Sequence, residues 1–326
     1  MTEHYPRIRH HEPGPEGDYL LIREIVRLVL YLPFDHHDLA AGVERAMDTY
    51  LQAVGVGPET IDSWCDGDSG DVYALNAQRW ERIRQIFGGK RKYRFLDQCP
   101  DEGYVDSQVK KQCDVSIELS GGTSGTSGYS FFYWARLPWS TPEEDEVSVV
   151  SFSWPTEYLE EHGPGRIREM ALELAALLPF ASGHAGLAFE MPNPFSATRL
   201  RIREEAFRYP GVDVPRGGSS LGTRVDGVHW LNFLAQPVLG ELGGVEGLRS
   251  RLHAPETTVQ ELDGERAVVT LGPWPEAGDL SQGRELPAYR ELARVLEPWL
   301  DDCKNTYRWS GYTHEETRRW WRRFLD

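Results

Sequence analysis

The sequence predicts an α+β fold in which an antiparallel or mixed β-sheet is flanked by helices. Residues 147–192 predict an apolar strand, a turn closed by proline, an amphipathic helix and a second apolar strand. Residues 22–54 repeat the order of strand, proline and helix, so the chain could contain two similar strand–helix lobes. Between these units, residues 114–154 hold three candidate strands joined by polar loops, a pattern that favours an antiparallel meander.

Length and composition are consistent with one large domain. The chain has 326 residues, of which 40% are hydrophobic and 26% charged, an ordinary balance for a globular protein. Residues 1–17 are polar and rich in Pro, Gly and His, and we expect a loose N-terminal arm there. No low-complexity linker divides the rest of the chain. We therefore expect a single domain over residues 18–326, with possible lobes at 18–110 and 111–326.

In the first half, a dense run of apolar and β-branched residues at 22–33 predicts a strand. Asp38 is a candidate N-cap for the helix that follows, whose apolar positions recur with helical spacing and which ends at Gly55. The three meander strands are expected at residues 114–119, 129–137 and 147–154.

In the second half, Pro164 marks the start of a helix, because its missing N–H costs little in the first turn. We expect helices over residues 230–242, 289–300 and 315–325, and a strand over 267–271. Thr313 and Glu316 form a capping-box pattern at the start of the last helix.

The charge balance indicates which partners to expect. With 35 basic and 51 acidic residues the formal net charge is −16, which repels nucleic acid and anionic lipid and attracts a basic partner. No run of 18 apolar residues and no signal-peptide pattern is present. The four cysteines show neither zinc-ligand nor disulfide-framework spacing, so we expect a reducing cytoplasm. The sequence does not indicate the oligomeric state.

Known catalytic and cofactor motifs are missing from the sequence. It contains no G-x-S-x-G elbow, no phosphate-binding loop, no dinucleotide fingerprint and no H-E-x-x-H zinc motif. We therefore predict no catalytic, cofactor-binding or metal-binding residue. The alternative is an enzyme of unrecognised type, with or without a metal ion, that uses His36, His37 or His184 with nearby carboxylates.

One acidic segment is a candidate surface for a partner or an ion. It contains Asp62, Asp66, Asp68 and Asp71 around Trp64. The segment lacks the spacing and the closing Glu of a calcium loop, so a solvated acidic loop and a partner-facing loop are the open alternatives.

Several segments taken together resemble the bacterial type VI immunity family (DUF3396). Their order and spacing between about residues 150 and 326 support the resemblance more than any single motif does. The segments are SWP at 153–155, YLE at 158–160, GLAF at 186–189, RYPGVD at 208–213, GVHWLNFL at 227–234, LGG at 242–244, GD at 278–279, PAY at 287–289 and WWRRF at 320–324.

The resemblance implies an immunity protein that binds and neutralises a cognate toxin delivered by a contact-dependent secretion system. It implies no catalytic residue and no cofactor. The partner would be the toxin protein, basic if it is nuclease-like, and neither nucleic acid nor a membrane. On this hypothesis the candidate toxin-binding residues are Asp62, Trp64, Asp66, Asp68 and Asp71, with the carboxylates favouring fast association and aromatic rings slow release.

Overall fold

A single antiparallel sheet organises the fold. The computed structural model describes residues 4–14, 17–67, 70–88, 101, 103, 114–121, 126–140, 143, 145–191, 198–215, 220–301 and 312–326. Across this part of the chain, eleven strands join in the order β10-β11-β9-β8-β2-β7-β6-β5-β3-β4, with β1 paired to β2. The strands are β1 (Arg9–Gly14), β2 (Gly17–Leu32), β3 (Ser63–Asp66), β4 (Val72–Ala74), β5 (Asp114–Ser120), β6 (Ser130–Arg136), β7 (Ser148–Pro155), β8 (Ser182–Glu190), β9 (Leu231–Leu234), β10 (Thr257–Asp263) and β11 (Arg266–Leu271).

Helices and short helical turns connect these strands. They are α1 (His36–Val54), α2 (Ala77–Phe87), α3 (Thr156–Ala176), α4 (Thr198–Arg201), α5 (Arg203–Arg208), α6 (Val238–Glu241), α7 (Gly244–Arg249), α8 (Pro287–Leu296) and α9 (His314–Trp321), with 3-10 turns at Leu280–Gln282 and Glu297–Trp299. The combination of one antiparallel sheet with these helices confirms the predicted α+β class. The division into a single domain with two possible lobes stays a prediction.

The centre of the sheet is buried on both faces. Strand β2 pairs antiparallel with β7 on one side and with β8 on the other. Helices α1 and α3 contact β2, β6 and β7 and cover one face, where the large core lies. Because side chains alternate along a strand, Val29 and Tyr31 of β2 lie on the second face, where they form a smaller cluster with Val147, Val149 and Leu221. Burial on both faces explains why the second half of β2 is a nearly continuous apolar run, and why β7 alternates apolar residues only with small serines.

The expectation of a loose arm over residues 1–17 is wrong for residues 9–14, which form β1. The preceding segment is held by the buried carboxylate of Glu24, which is 1% exposed. Glu24 accepts hydrogen bonds from the Ile8 backbone N–H at 2.9 Å, from Arg7 Nη1 at 3.1 Å and from Thr156 Oγ1 at 3.0 Å. Composition indicated only that the segment is polar, and it gave no sign of this buried acceptor.

Two further expectations for the helices need correction. Helix α1 is capped by Asp35, whose side chain accepts from the His37 N–H at 2.9 Å, and Asp38 lies in its first turn. The helix expected over residues 230–242 is wrong, because Leu231–Leu234 forms β9 between β8 and β11. A short apolar run suits a buried strand as well as a helix, and pairing on both sides decides between them here.

In the described part of the chain we find no helix with the length and apolar character needed to cross a membrane.

Candidate functional site

The second face of the sheet carries a buried cluster of two histidines and one aspartate. His184 lies on β8, opposite Val29 of β2 and Asn232 of β9. Directly paired residues of antiparallel strands point to the same face, so His184 lies on the face of the smaller apolar cluster. The other two members of the cluster, Asp213 and His229, come from irregular segments beside β8, where Asp213 forms a parallel bridge with Ala188 and His229 lies just before β9.

Backbone hydrogen bonds fix Asp213 against β8. Its N–H donates to the Leu187 carbonyl at 2.8 Å, and its carbonyl accepts from the Phe189 N–H at 2.9 Å. The turn before it requires Gly211, because a Cβ there would lie 1.9 Å from the Glu276 carbonyl oxygen. The Pro210–Gly211 turn therefore allows the chain to approach β8 closely enough to place the carboxylate beside His184.

Asn232 holds His229 from the other side. Its Oδ1 accepts from the His229 backbone N–H at 2.9 Å, and its Nδ2 donates to the His229 carbonyl at 2.7 Å. Since Asn232 is itself paired with His184 in the sheet, the positions of the two histidines are coupled.

The three side chains converge at short distances. His184 Nε2 lies 3.6 Å from Asp213 Oδ2. The rings of His184 and His229 are stacked, with centroids 3.6 Å apart and planes 11° apart. One ligand-type atom from each residue lies within 4.8 Å of the other two. Each of the three residues is 3% exposed, so the cluster lies in the interior.

Burial and mutual charge set the protonation of the cluster. Burial lowers the pKa of His229 well below its ordinary value, and the proximity of His184 lowers it further, while Asp213 offsets only part of this. Burial by itself would raise the pKa of Asp213, but His229, His184 and Arg323 together hold it well below its usual range. At neutral pH the cluster therefore presents a carboxylate beside a neutral imidazole.

The C-terminal helix closes this region. Trp320 at the end of α9 is fully buried. Arg323, just after the helix, donates from Nε to the Pro210 carbonyl at 2.7 Å, and its guanidinium lies 3.8 Å from the centre of the Trp320 ring. Burial lowers the pKa of Arg323 to about 10, so it keeps its positive charge at neutral pH.

The three residues offer ligand types that suit a metal ion. Two imidazoles and a carboxylate are common ligands of Zn²⁺ and of other divalent transition metals. A general base or acid must come within hydrogen-bond reach of its substrate, and burial at 3% exposure keeps a substrate away from these groups.

The other histidines of the metal-dependent enzyme alternative lie elsewhere. His36 is buried, with Nδ1 3.0 Å from the Tyr133 hydroxyl and Nε2 3.1 Å from the Ile86 carbonyl. The neighbouring His37 is exposed beside Asp38. The structure therefore brings only His184, of the three histidines considered, into the cluster. Asp213 and His229 were missed because no local motif links residues so far apart in the chain.

The predicted acidic loop lies at the β3–β4 edge of the sheet, with its members in different environments. Trp64 is 2% exposed and packs in the large core, 6.1 Å from Tyr73 between ring centroids. Asp62 and Asp66 are half-buried and Asp71 is exposed, whereas Asp68 lies outside the described residues. Trp64 is thus part of the scaffold that supports the loop.

Negative charge is concentrated at this edge. Burial raises the pKa of the Cys65 thiol, and the carboxylates of Glu118, Asp66 and Asp71 raise it further. The guanidinium of Arg82 approaches Asp66 to 3.8 Å.

Comparisons with known proteins identify the family. A family model described as "Type VI immunity for VRR-NUC", named TsiV, matches residues 43–324. No curated protein sequence matches the chain. Among solved structures, the Pseudomonas aeruginosa T6SS protein PA0821 superposes with a TM-score of 0.73, with 18% sequence identity over 98% of this chain and 87% of that chain. At that identity the likeness shows a shared fold.

The type VI immunity family expected from the ordered segments is thereby confirmed. The matched residues make up most of the chain, and they include all three members of the buried cluster and the acidic edge at β3. The protein therefore belongs to the TsiV family of type VI immunity proteins.

Proposed function

We propose that this protein neutralises a nuclease toxin delivered by a type VI secretion system, of the VRR-NUC kind named in its family description, by binding the toxin. The family match over residues 43–324 is the observation that supports the proposal most strongly. Blocking a toxin requires affinity and complementary shape, and no bond in the toxin needs to be broken.

The charge of the protein suits such a partner. A nuclease must bind the phosphates of nucleic acid, so it presents basic surface. The formal net charge of −16 attracts that surface and raises the rate of encounter.

We propose further that the protein binds neither nucleic acid nor membranes and acts in the cytoplasm, where a nuclease would reach its substrate.

The structure also supports a non-catalytic mode of action. Within the described residues, the one group of three or more potential metal ligands, His184, Asp213 and His229, is buried. A toxin-modifying enzyme would need such groups in a cleft open to another protein.

The experiment mixes the purified protein with a candidate VRR-NUC toxin, sought first among the genes that neighbour its own. We expect a stable complex in size-exclusion chromatography and loss of nuclease activity as the complex forms. After dissociation in denaturant, the toxin should have its original mass, because binding alone inhibits it. Full nuclease activity in the presence of excess protein would contradict the proposal, and a toxin of altered mass would favour the enzyme alternative.

We propose that the acidic edge at β3–β4 contributes to the contact through Asp62, Asp66, Asp68 and Asp71, with Trp64 as internal support. We predict that replacing Asp66, Asp68 and Asp71 together by Asn slows association with the toxin at low salt by about 10-fold, because steering by opposite charges raises association rates by 10-fold or more. Surface plasmon resonance at several salt concentrations measures this effect.

The matched control removes three charges at the opposite edge of the sheet. Glu256, Glu261 and Glu265 are exposed in or beside β10, and each can be changed to Gln. Equal slowing by both triple variants would mean that only net charge matters and would remove the β3–β4 edge from the interface.

A further inference from the structure

We propose that His184, Asp213 and His229 form a structural binding site for a divalent transition metal ion, with Zn²⁺ as the best match to the ligand types. This site goes beyond toxin neutralisation, which requires no metal. The inference stands on the convergence, burial and backbone support of the three side chains.

The distances are close to those of a metal site. Zinc bonds of about 2.0–2.2 Å to nitrogen and oxygen place neighbouring ligand atoms of a tetrahedron about 3.3–3.6 Å apart. His184 Nε2 and Asp213 Oδ2 are 3.6 Å apart, and the farthest pair in the cluster lies within 4.8 Å. The separations therefore need shifts of about 1 Å or less, but the two imidazole rings are stacked almost parallel, so one ring must also rotate before both nitrogen lone pairs point at the same ion.

The backbone around the ligands is already fixed. Asp213 is bonded to β8 through both its N–H and its carbonyl, and His229 is bonded through both groups to the side chain of Asn232. These bonds fix the backbone of two of the three ligands. Little backbone freedom would therefore be lost when an ion binds, and the main cost is turning the stacked rings.

The nearby positive charge does not occupy the ligand position. Arg323 donates to the carbonyls of Pro210 and Trp320, at 2.7 and 3.2 Å, and stacks on the Trp320 ring. Within the described residues it forms no ion pair with Asp213, so the carboxylate remains available to an ion. The guanidinium lowers the affinity of the site for a cation without blocking it.

Burial makes the ion structural rather than catalytic. Three protein ligands leave the fourth zinc position to a water molecule, as in catalytic sites, but here each ligand residue is only 3% exposed, so a substrate cannot reach that position. An ion here would join β8 to the two irregular segments on the second face, below α9. It would therefore stabilise the folded protein and leave the acidic edge at β3–β4 unchanged.

Equilibrium dialysis of untagged, chelator-treated protein against ZnCl₂, followed by metal analysis, tests the proposal. We expect one tightly bound zinc per chain and a rise in melting temperature when zinc is added. Wild-type protein that retains no zinc after dialysis, or whose melting temperature does not respond to zinc, would overturn the proposal.

Variants separate this site from another buried histidine. Asp213→Asn keeps the shape of the side chain and removes its charge, so zinc affinity should fall by at least about 10-fold. His36→Gln is the control, because it removes another buried histidine that lies outside the cluster. Equal zinc affinity of the two variants would rule out the assignment.

A measurement on wild-type protein covers the case in which Asp213→Asn fails to fold. X-ray absorption of the zinc-loaded protein counts the imidazole ligands of the ion. The cluster requires two imidazoles. A spectrum with one imidazole or none, as expected for exposed pairs such as His253 with Glu291, would contradict the proposal.

Discussion

At the scale of single residues, two carboxylates show how the surroundings decide whether a negative charge stabilises or destabilises the folded protein. Asp279 is 1% exposed and accepts from Arg208 Nε at 2.9 Å and Nη2 at 2.7 Å. These bonds hold the pKa of Asp279 well below its usual value. For Glu190 on β8 the balance is opposite, because burial raises its pKa and the contacts with Thr126 and Arg23 offset only part of the increase.

The first residue-scale prediction concerns Asp279→Asn. A carboxyl group whose pKa is lower in the folded than in the unfolded protein stabilises the fold at high pH, and this contribution is lost as the pH falls through the folded value. The variant should be less stable than wild type at pH 7, and the difference should shrink below the usual Asp pKa of 3.8. Urea unfolding at several pH values measures it. Exposed Asp18→Asn is the control, and a difference independent of pH would contradict this account.

The second residue-scale prediction concerns Glu190→Gln, which should raise stability at pH 7 where Asp279→Asn lowers it. Because the folded pKa of Glu190 is raised above the usual 4.5, folded protein binds the proton more tightly, and stability falls as the pH rises through this window. Glu190→Gln should therefore be more stable than wild type at pH 7 and nearly equal to it below pH 4. Thermal melts across this pH range test the difference. Exposed Glu261→Gln should show no such gain, and a Glu190→Gln variant that is less stable at pH 7 would refute the prediction.

Residue roles that depend on local chemistry could be predicted, and those that depend on sheet register could not. The capping box of Thr313 and Glu316 is present as expected, because all its contacts lie within one turn. The burial of Trp64 depends on which face of β3 meets the core. The acidic residues around it predicted an exposed loop and gave no sign of that orientation. His184, Asp213 and His229 meet only because β8 pairs with β2 and β9.

At the scale of elements, α3 shows how a proline inside a helix is accommodated. The backbone leaves helical geometry at Gly163, with φ 78° and ψ 163°, and resumes the helix from Pro164. Proline has no N–H to bond the preceding turn and favours the first turn of a helix, so the break falls just before it. The sequence predicted the start at Pro164 but not the preceding helical segment from Thr156.

The element-scale prediction compares the two glycines at this kink. Gly163→Ala should lower the free energy of unfolding by about 1–2 kcal/mol, since its positive φ is unfavourable for a residue with a Cβ. Gly165→Ala is the control, because that position has open space and lies in the helix, where alanine should stabilise by about 0.5–1 kcal/mol. Urea unfolding of both variants gives the comparison, and a loss of equal size at the two positions would exclude φ strain as the cause.

Strand β9 marks the limit of element prediction from sequence. Its four buried residues are apolar apart from Asn232, and local preference does not separate a strand from a helix in so short a run. The meander strands β5, β6 and β7 were placed nearly at their observed bounds, because their alternation and polar loops are local signals.

At the scale of the whole molecule, one sheet runs from the acidic edge at β3–β4 to β10. Residues from both proposed lobes contribute strands to it in alternation, since β2 of the first lobe lies between β7 and β8 of the second. A core continuous from Trp64 to Trp320 should therefore unfold as one cooperative unit.

This continuity gives the whole-molecule prediction. Trp64→Phe and Trp320→Phe remove buried ring atoms in different proposed lobes, and each should lower the free energy of unfolding by about 1–3 kcal/mol. Because both residues belong to one cooperative core, each variant should still show a single unfolding transition. For each variant, far-UV circular dichroism and tryptophan fluorescence should report the same shift of its midpoint. Leu280→Ala, at a side chain 43% exposed, is the control and should shift it little. Two separate transitions, each moved by only one of the two tryptophan variants, would show instead that the lobes at 18–110 and 111–326 unfold independently.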